Sequence, residues 1–465
     1  MESKIQNKEM KLTKVIKRPV VAAATVMLLA ACNQSYPGLE FDYPENEIEN
    51  NETYNKTPLM VFVSEQDFFS ITATRGMGPF DNDEHFSEKK QNAVFYLYAF
   101  RNGKEAQGQL TSPADLTKTR YTEGKSHDDD NESCLLDGPD YNYGMPTKLQ
   151  GEGGELKKTW NGEERLFYSS KYQDVGYNFF AYFIDDCQPT INRSKDKITY
   201  EFDVDGTQDV LFGMAPPLTL DKLNTSYSKL GLSADDKAKI VNANGYSTFA
   251  AHREVHPSID LNHVMARFIF QAYPGDETAK DIKITKIRMQ ANSRCRMTVA
   301  AQTQEEAGVE FVENNKAWMI LRDKAEDGLS MKDGIDPVTV NFEPWMSDEQ
   351  WYNRTYEVIG SSLLLAPDSV YKLVLEYSQL VDMGGTEKQW RAMSSEYTIR
   401  APKNYEYNYD EKTGSYIYKP GYQYTVKIAV FGLSEIKVSA NISNWEIVDA
   451  PIIINPDDAD KENVN

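Results

Sequence analysis

The clearest structural signal in this chain is a run of eight residues, Ala93-Val94-Phe95-Tyr96-Leu97-Tyr98-Ala99-Phe100. Every side chain in the run is apolar or aromatic, so alternation leaves neither face of the segment polar. A short run of this kind, rich in aromatic residues, predicts a strand that is buried on both faces. We therefore expect a central strand of a β-sandwich here.

Similar runs recur along the whole chain, and aromatic residues make up 12% of it, chiefly 28 Tyr. Ile282–Met289 largely alternates, which predicts one buried and one solvated face. The other predicted strands are Leu59–Val63, Phe68–Thr72, Asn178–Ile184, Asp209–Met214, Val264–Gln271, Pro337–Phe342, Tyr371–Tyr377, Tyr422–Phe431, Glu435–Ile442 and Glu446–Ile454. Many short strands separated by turn signals predict an all-β fold of antiparallel β-sandwiches.

Helix is scarce in the sequence. The best candidate is Thr219–Ala243, which has loosely spaced leucines and is predicted to be a small helical insertion. A chain of 465 residues is long enough for two or three domains with full cores. The strand pattern predicts two sandwiches in tandem, an N-terminal domain over residues 76–250 and a C-terminal domain over residues 251–465.

Composition excludes several classes of function. The net charge of −21 argues against nucleic acid as a partner, because the phosphate backbone demands a basic surface. Beyond Cys32 the cysteines are Cys134, Cys187 and Cys295, too few for a disulfide framework or a metal cluster. One disulfide with a leftover thiol, or three buried thiols, both fit this count.

The histidine pair His252 and His256 is the nearest approach to a catalytic motif. A zinc protease needs glutamate directly after the first histidine to polarise the metal-bound water, and Arg253 holds that place. Pro257 also argues against a helix that would bring the two imidazoles together. The chain has no Gly-x-Ser-x-Gly elbow and no phosphate-binding glycine loop. We predict that the protein is not an enzyme and needs no cofactor or metal.

Three further patterns have ordinary structural explanations. The run Asp128–Asn131 lacks the spacing of a calcium loop and is predicted to be solvated. His263 is predicted to be a satisfied core or rim histidine. A group of tyrosines could form a sugar-stacking platform, although cross-strand packing is the commoner explanation; it comprises Tyr405, Tyr407, Tyr409, Tyr416, Tyr418, Tyr422 and Tyr424.

The N-terminus has the features of an export signal. A basic stretch ending at Arg18 precedes the apolar run Val20–Ala31, which is too short for a permanent membrane span. Leu29-Ala30-Ala31-Cys32 matches the bacterial lipobox, in which the cysteine sulfur is acylated after cleavage. A lipoprotein signal competes with an ordinary signal that has a chance cysteine. The cysteine's position favours the first, with residues 1–31 removed and Cys32 carrying acyl chains such as palmitate.

Taken in order, these pieces resemble the fimbrillin family, the lipoprotein pilins of Bacteroidetes type V pili. After the lipidated leader, Ala73-Thr74-Arg75 resembles the family's processing site. Segments similar to family motifs follow in order along the chain: Val94–Phe100, Asn178–Phe183, Asp209–Phe212, Leu261–Phe270, and Tyr422–Val426 leading to Ile442–Trp445. The Thr219–Ala243 insertion and the long acidic loops depart from the family pattern and leave the position within a pilus open.

The resemblance implies transthyretin-like sandwiches and a maturation pathway. Residues 32–75 would be a lipidated propeptide that includes a removable strand within Leu59–Thr72. A trypsin-like protease would cut after Arg75 and leave Gly76 as the new N-terminus. The groove so opened would accept a donor strand from another subunit. Our candidate donor lies in the C-terminal tail, with apolar residues Ile447, Val448, Ile452, Ile453 and Ile454.

The sequence thus predicts a non-enzymatic structural subunit, shaft or tip-proximal, of a cell-surface fimbria that supports adhesion. Its precursor would be anchored in the outer membrane through the lipid on Cys32. Predicted partners are other fimbrial subunits, the processing protease, and surface glycans or proteins. Asp368-Ser369-Val370 resembles an O-glycosylation acceptor, so Ser369 is a candidate for modification. The alternative is a monomeric, outer-membrane-anchored glycan-binding lipoprotein.

Overall fold

A computed structural model describes the following residues: 61–63, 93–105, 112–118, 134–137, 143–150, 155–158, 168, 175–185, 188–275, 279–325, 328–330, 332–341, 357–382, 388–403, 408–430 and 436–444. Strands, numbered in chain order, dominate this part of the chain and form mainly antiparallel sheets. The predicted all-β fold with small helical insertions is confirmed. No helix among these residues is long and apolar enough to cross a membrane.

The first sheet contains eight strands, and its pairing closes on itself. Its members are β1 Phe62–Val63, β2 Phe95–Glu105, β3 Cys134–Leu136, β4 Met145–Gln150, β5 Glu155–Lys158, β6 Val175–Ile184, β9 Val210–Met214 and β10 Ser258–His263. Their order is β3-β2-β4-β5-β1-β10-β9-β6, and β2 also pairs with β6. Seven strands therefore form a closed ring of hydrogen-bonded neighbours, in which β1 connects β5 to β10.

A second sheet is built from strands that lie far apart in sequence. It has the order β14-β13-β8-β7 and comprises β7 Thr190–Arg193, β8 Lys197–Asp203, β13 Arg294–Ala301 and β14 Gly308–Phe311. The chain after residue 251 thus supplies two of the four strands of this sheet, and β13 pairs directly with β8.

Two further sheets and two small hairpins complete the described strands. The third sheet is β19-β11-β24-β25, made of β11 Ala266–Pro274, β19 Glu357–Leu365, β24 Tyr422–Val430 and β25 Ile436–Asn444. The fourth is β15-β12-β20-β21, with β18 also beside β12; these are β12 Ile282–Asn292, β15 Lys316–Ile320, β18 Val338–Val340, β20 Val370–Asp382 and β21 Lys388–Arg400. The hairpins pair β16 Lys324–Ala325 with β17 Gly328–Leu329, and β22 Tyr409–Asp410 with β23 Ser415–Tyr416.

Two apolar clusters form the core, and β2 belongs to both. Phe95 and Leu97 pack in the cluster that also contains Val61, whereas Tyr98 and Phe100 pack in the cluster that includes Tyr200 of β8. The predicted burial of this strand on both faces is confirmed, and β6 alternates between the two clusters in the same way. Successive side chains of a strand point to opposite faces, so an apolar run without alternation requires a packed layer on each side.

The predicted single helix over Thr219–Ala243 is instead a pair of helices. The first, α1, spans Leu220–Thr225 with Thr219 as its N-cap, and the second, α2, spans Ala234–Ala243 with Ser233 as its N-cap. A 3₁₀ turn and Gly231, whose φ is +61°, separate them in sequence. A left-handed glycine ends helical geometry, and the Ser233 hydroxyl then caps a new helix. A one-turn helix, α3 Thr248–Ala251, leads towards β10.

Candidate strand-exchange site

The short strand β1 occupies the place where the ring of the first sheet closes. Phe62 pairs in parallel with Ser258 of β10 and antiparallel with Glu155 of β5, and Val63 pairs with Ile259. Both edges of β1 are therefore used in strand pairing. Without β1, the facing edges of β10 and β5 would lose these partners, and unpaired buried backbone groups are costly.

The core side chains beneath β1 are apolar. Along β10, Ile259 and Leu261 are buried, whereas Asp260 and Asn262 between and after them are exposed. Val61, directly before β1, is only 3% exposed and belongs to the same cluster as Ile259 and Leu261. The segment that carries β1 thus covers core side chains as well as backbone. Its loss would expose apolar surface to water, at a free-energy cost of about 25 cal/mol for each Å².

A glycine fixes the spacing between β10 and its other neighbour, β9. Gly213 pairs with Leu261, and a Cβ at Gly213 would lie 2.1 Å from the carbonyl oxygen of Asp260. Such a contact is impossible without backbone movement, so only glycine permits this strand separation. The edge of β10 that faces β1 is therefore held by close backbone packing on its opposite side.

The C-terminal end of β10 is held by a buried polar contact. The Nδ1 atom of His263 lies 2.9 Å from Oδ2 of Asp209, which is fully buried and whose Oδ1 accepts a hydrogen bond from the Val210 amide at 2.8 Å. His263 is a satisfied rim histidine, as the sequence predicted. Its contact joins the end of β10 to the start of β9.

Turn geometry, not helix, separates His252 from His256. Residues 252–257 lie outside α3, and Glu254 has a φ of +59°. The prediction that the two imidazoles do not share a helical face is confirmed. The hydroxyl of Tyr227 donates to the His256 carbonyl at 2.9 Å, which fixes the chain just before β10. Within the described part of the chain, no three His, Cys, Asp or Glu side chains gather to hold a metal ion.

Helix α1 brings a lysine close to the exposed side of β10. Burial lowers the pKa of Lys222, and the carboxylate of Asp260 partly opposes this effect. The carboxylate acts on Lys222 because opposite charges favour the charged form of each group. The helical insertion therefore contributes an electrostatic contact to the strand that pairs with β1, as well as apolar residues such as Leu223 and Ile240 to the cluster behind it.

Most of the predicted site residues lie outside the described residues. This applies to the lipidation site Cys32, the processing site Arg75–Gly76 and the donor residues Ile447, Val448 and Ile452–Ile454. Their roles stay predictions. Cys187 also lies outside the described residues, whereas Cys134 and Cys295 are both buried, and Sγ of Cys134 donates to the Leu136 carbonyl at 3.4 Å.

Ser369 lies immediately before β20 and is half-buried. Its amide donates to Oδ1 of Asp368 at 2.7 Å, and its carbonyl accepts from the Ala401 amide at 2.9 Å. Oδ2 of Asp368 in turn accepts from Nζ of Lys316 at 2.8 Å. Asp368 is therefore engaged in the folded chain, and Val370 begins β20 and pairs with Arg400 of β21.

The tyrosines described at the C-terminal end take part in packing. Tyr409 and Tyr416 face each other across the β22–β23 hairpin with ring centroids 5.4 Å apart. Tyr418 and Tyr424 are fully buried, 4.8 Å apart, and the Tyr418 hydroxyl donates to the Arg400 carbonyl at 2.7 Å. Cross-strand packing is confirmed for Tyr409 and Tyr416, whereas Tyr418 and Tyr424 are core residues; Tyr405 and Tyr407 lie outside the described part.

Sequence interpretation missed β10 as a separate strand. The predicted strand began at Val264, but the chain leaves the first sheet at Val264–Met265 and enters the third sheet as β11. The alternation of Ile259 and Leu261 with Asp260 and Asn262 was the available signal. This period of two predicts a strand with one buried face, which is what β10 shows.

Comparison with known proteins gives matches at the level of structure only. No family model matches the chain, and no curated protein matches it in sequence. A fimbrial protein from Bacteroides vulgatus matches at 11% identity with a TM-score of 0.42, covering 84% of this chain and 99% of that one. The fimbrial anchor protein Mfa2 from Porphyromonas gingivalis matches at 8% identity with a TM-score of 0.27, covering 83% and 98%.

These structural neighbours are fimbrial proteins. They are of the same class as the proteins that the sequence motifs resemble.

Proposed function

We propose that this protein is a structural subunit of a cell-surface fimbria, matured by proteolysis and polymerised by strand exchange. The observation that carries the proposal is the position of β1. It is paired with both β5 and β10, yet it precedes Arg75 in sequence, whereas every other described strand follows it. A cut after Arg75 would leave β1 attached to the rest of the protein by non-covalent contacts alone.

Loss of the cut segment would create a binding site for an extended chain. Two strand edges would lose their backbone partners, and the core beside Ile259 and Leu261 would open. Each ladder hydrogen bond restored is worth about 1 kcal/mol net. Each apolar side chain buried again adds about 1.5–3 kcal/mol. A strand supplied by another subunit would restore both the hydrogen bonds and the apolar burial. This mode of binding is β-strand addition.

The proposed donor is Glu446–Ile454, which begins two residues after the end of β25 at Asn444. That strand pairs with β24 along nine residues, from Tyr422↔Asn444 to Val430↔Ile436, so it is committed to its own sheet. In an extended donor, Val448, Ala450, Ile452 and Ile454 would share one face, because side chains alternate. This apolar face would take the place of Val61 in the cluster that contains Ile259 and Leu261. Pro451 would fall on the opposite face, and its lack of an N–H allows only one paired edge at that point.

The export route follows from the N-terminal signal. Acylated Cys32 would hold the precursor in the outer membrane, and the cut after Arg75 would separate the lipid together with β1 from the subunit. In this scheme residues 32–75 are the propeptide and residues 76–250 and 251–465 the two sandwich domains, with β10 from the second range completing the first sheet. Partners are other fimbrial subunits, a trypsin-like protease and the surface to which the fimbria adheres. Ser369 would be the site of O-glycosylation.

The test is the N-terminus and intact mass of the protein sheared from cells, with limited trypsin treatment of the purified precursor alongside. We expect an N-terminus at Gly76 and SDS-resistant ladders after the cut. A chain that keeps acylated Cys32 and stays monomeric after trypsin would contradict a strand-exchanging subunit. It would favour the alternative, an anchored, monomeric glycan-binding lipoprotein.

A further inference from the structure

The outer face of the fourth sheet carries an unusual set of side chains. On β12, Ile282, Ile284, Ile287 and Met289 are buried, so the alternate residues Lys283, Lys286 and Arg288 lie on the opposite, solvent-facing side. A bulge between Ile284 and Lys286 keeps the alternation in phase. We call this side of strands β15, β12, β20 and β21 the basic face.

The basic face is locally positive on an acidic protein. Over the eight residue pairs that join β12 to β20, it carries Lys283, Lys286, Arg288 and Lys372, with the carboxylate of Glu376 opposite Lys286. The whole chain, in contrast, has a net charge of −21. Local excess of one sign concentrates ligands of the opposite sign.

Carboxylates neutralise only part of this charge. Glu376 lies 3.6 Å from Arg288, and Glu396 of β21 lies 3.0 Å from Lys372. Within the described residues, neither Lys283 nor Lys286 forms an ion pair. These two ammonium groups are therefore the part of the basic face that can attract an anionic ligand without first displacing a carboxylate.

Two tryptophans lie at opposite ends of the basic face. Trp390 of β21 is 45% exposed, and Nζ of Lys283 lies 4.2 Å from its ring centroid. Trp318 of β15 is half-buried, and the Arg288 guanidinium lies 4.9 Å from its ring. On β12, Lys283 lies beside Trp390, and Gln290 pairs with Trp318. The two ends of the basic face are therefore about seven residues apart along β12, or roughly 20 Å at about 3.3 Å per residue.

This arrangement fits a carbohydrate better than a protein partner. Protein interfaces have a contiguous apolar centre and are depleted in lysine. Here the aromatic rings stand apart at the two ends, and lysines occupy the middle. An elongated ligand with repeated acidic groups would satisfy the lysines, and its flat C–H faces would lie against the indole rings. The contacts come from side chains on a sheet face, not from strand edges, so an added β-strand is not the occupant.

We propose that the basic face binds an anionic polysaccharide, one that carries carboxylate or sulfate groups along its length. This function goes beyond the structural role proposed above and does not depend on strand exchange. Lys283 and Lys286 would contact the acidic groups, and Trp390 would stack against a sugar ring. The interaction would weaken with salt, because the contacts are exposed.

The test measures binding of the full-length protein to immobilised polygalacturonate, which carries carboxylates, and to heparin, which also carries sulfates. Neutral dextran and poly-L-glutamate serve as comparison probes. Lys286→Glu should weaken binding to the acidic polysaccharides about tenfold at low salt, because it replaces attraction by repulsion. The matched control is Lys197→Glu, which makes the same change at an exposed position on β8. Lys286→Gln provides a milder variant if the first fails to fold.

Trp390 separates a carbohydrate from an acidic polypeptide. We expect Trp390→Ala to weaken polysaccharide binding severalfold while Trp390→Phe retains most of it. Equal binding of poly-L-glutamate, unaffected by Trp390→Ala, would overturn the proposal in favour of an acidic polypeptide partner. Equal effects of Lys286→Glu and Lys197→Glu would also overturn it, since binding would then reflect overall charge and not this face.

Discussion

If β1 closes the ring until maturation, then weakening its hold should replace the proteolytic cut. Val61 offers the sharpest perturbation, because it is 3% exposed and belongs to the cluster beneath β1. Val61→Asp removes about 1.5–3 kcal/mol of apolar burial. It also places a carboxylate among apolar side chains, which costs several kcal/mol more. A combined loss of about 4 kcal/mol favours displacement of β1 roughly a thousandfold.

The assay combines Val61→Asp with Arg75→Gln, so that the chain cannot be cut at the proposed site. We expect Arg75→Gln alone to stay monomeric. The double variant should bind a fluorescent peptide of residues 446–454 and form SDS-resistant ladders without proteolysis. The matched control is Val358→Asp in the Arg75→Gln background, the same substitution at a position that is 58% exposed in β19.

One result would refute the reasoning. In it, the double variant stays folded but neither binds the peptide nor polymerises, whereas cleaved wild-type protein does both. The vacated place of β1 would then not be the acceptor site. Ladders from Val358→Asp would also refute it, because they would show that an added charge anywhere in the chain suffices.

Three further predictions concern the stability of the fold. Gly213→Ala should lower the melting temperature by several degrees, because the added Cβ would meet the backbone of β10. The control is Ala392→Val at an exposed position on β21, and equal melting temperatures of the two variants would contradict the prediction. Asp137→Ala should cost about 3–5 kcal/mol in urea unfolding, because it removes the carboxylate 2.6 Å from buried Arg193; a loss below 1 kcal/mol would contradict this. Burial raises the pKa of tyrosines such as Tyr98. The stability that these tyrosines contribute should therefore be constant below the unfolded pKa of about 10 and be lost as the pH rises above it. Tyrosinate absorbance and circular dichroism recorded together test this, and ionisation of all tyrosines before unfolding would contradict it.

Much of the fold could be predicted because burial leaves a direct trace in the sequence. The run Ala93–Phe100 has no polar face, and β2 is indeed packed on both sides. Ile282–Met289 alternates, and β12 has one buried and one solvated face. In both cases the pattern of a single segment determines its environment, so no knowledge of partners is needed.

What could not be predicted depends on pairing between distant segments. Nothing in Phe62–Val63 indicates a parallel neighbour, because the choice of Ser258–Ile259 is made by the closure of the whole ring. The addition of β13 to the sheet of β8 is invisible for the same reason. The helix pair was missed because Gly231 and Ser233 outweigh the leucine spacing that suggested one helix.

The candidate site was predicted only in part. The family resemblance predicts a removable strand within Leu59–Thr72, and β1 lies within that segment. β10, the strand proposed as the acceptor, was not predicted, because the predicted strand in this part of the chain begins only at Val264. The basic face was also invisible in sequence, since its charges come from strands that the register alone brings together.

The parallel pairing of β1 with β10 has a consequence for how the protein folds. Phe62 and Ser258 are 196 residues apart, the difference between their positions in the chain. Synthesis proceeds at about 5–20 residues per second, so β1 waits roughly 10–40 s before its partner in β10 exists, long after β5 has been made. Contacts of such long range also form slowly. The edge of β1 that faces β10 is therefore among the last to be paired, and until then the closing gap of the nascent sheet is open to any extended chain nearby.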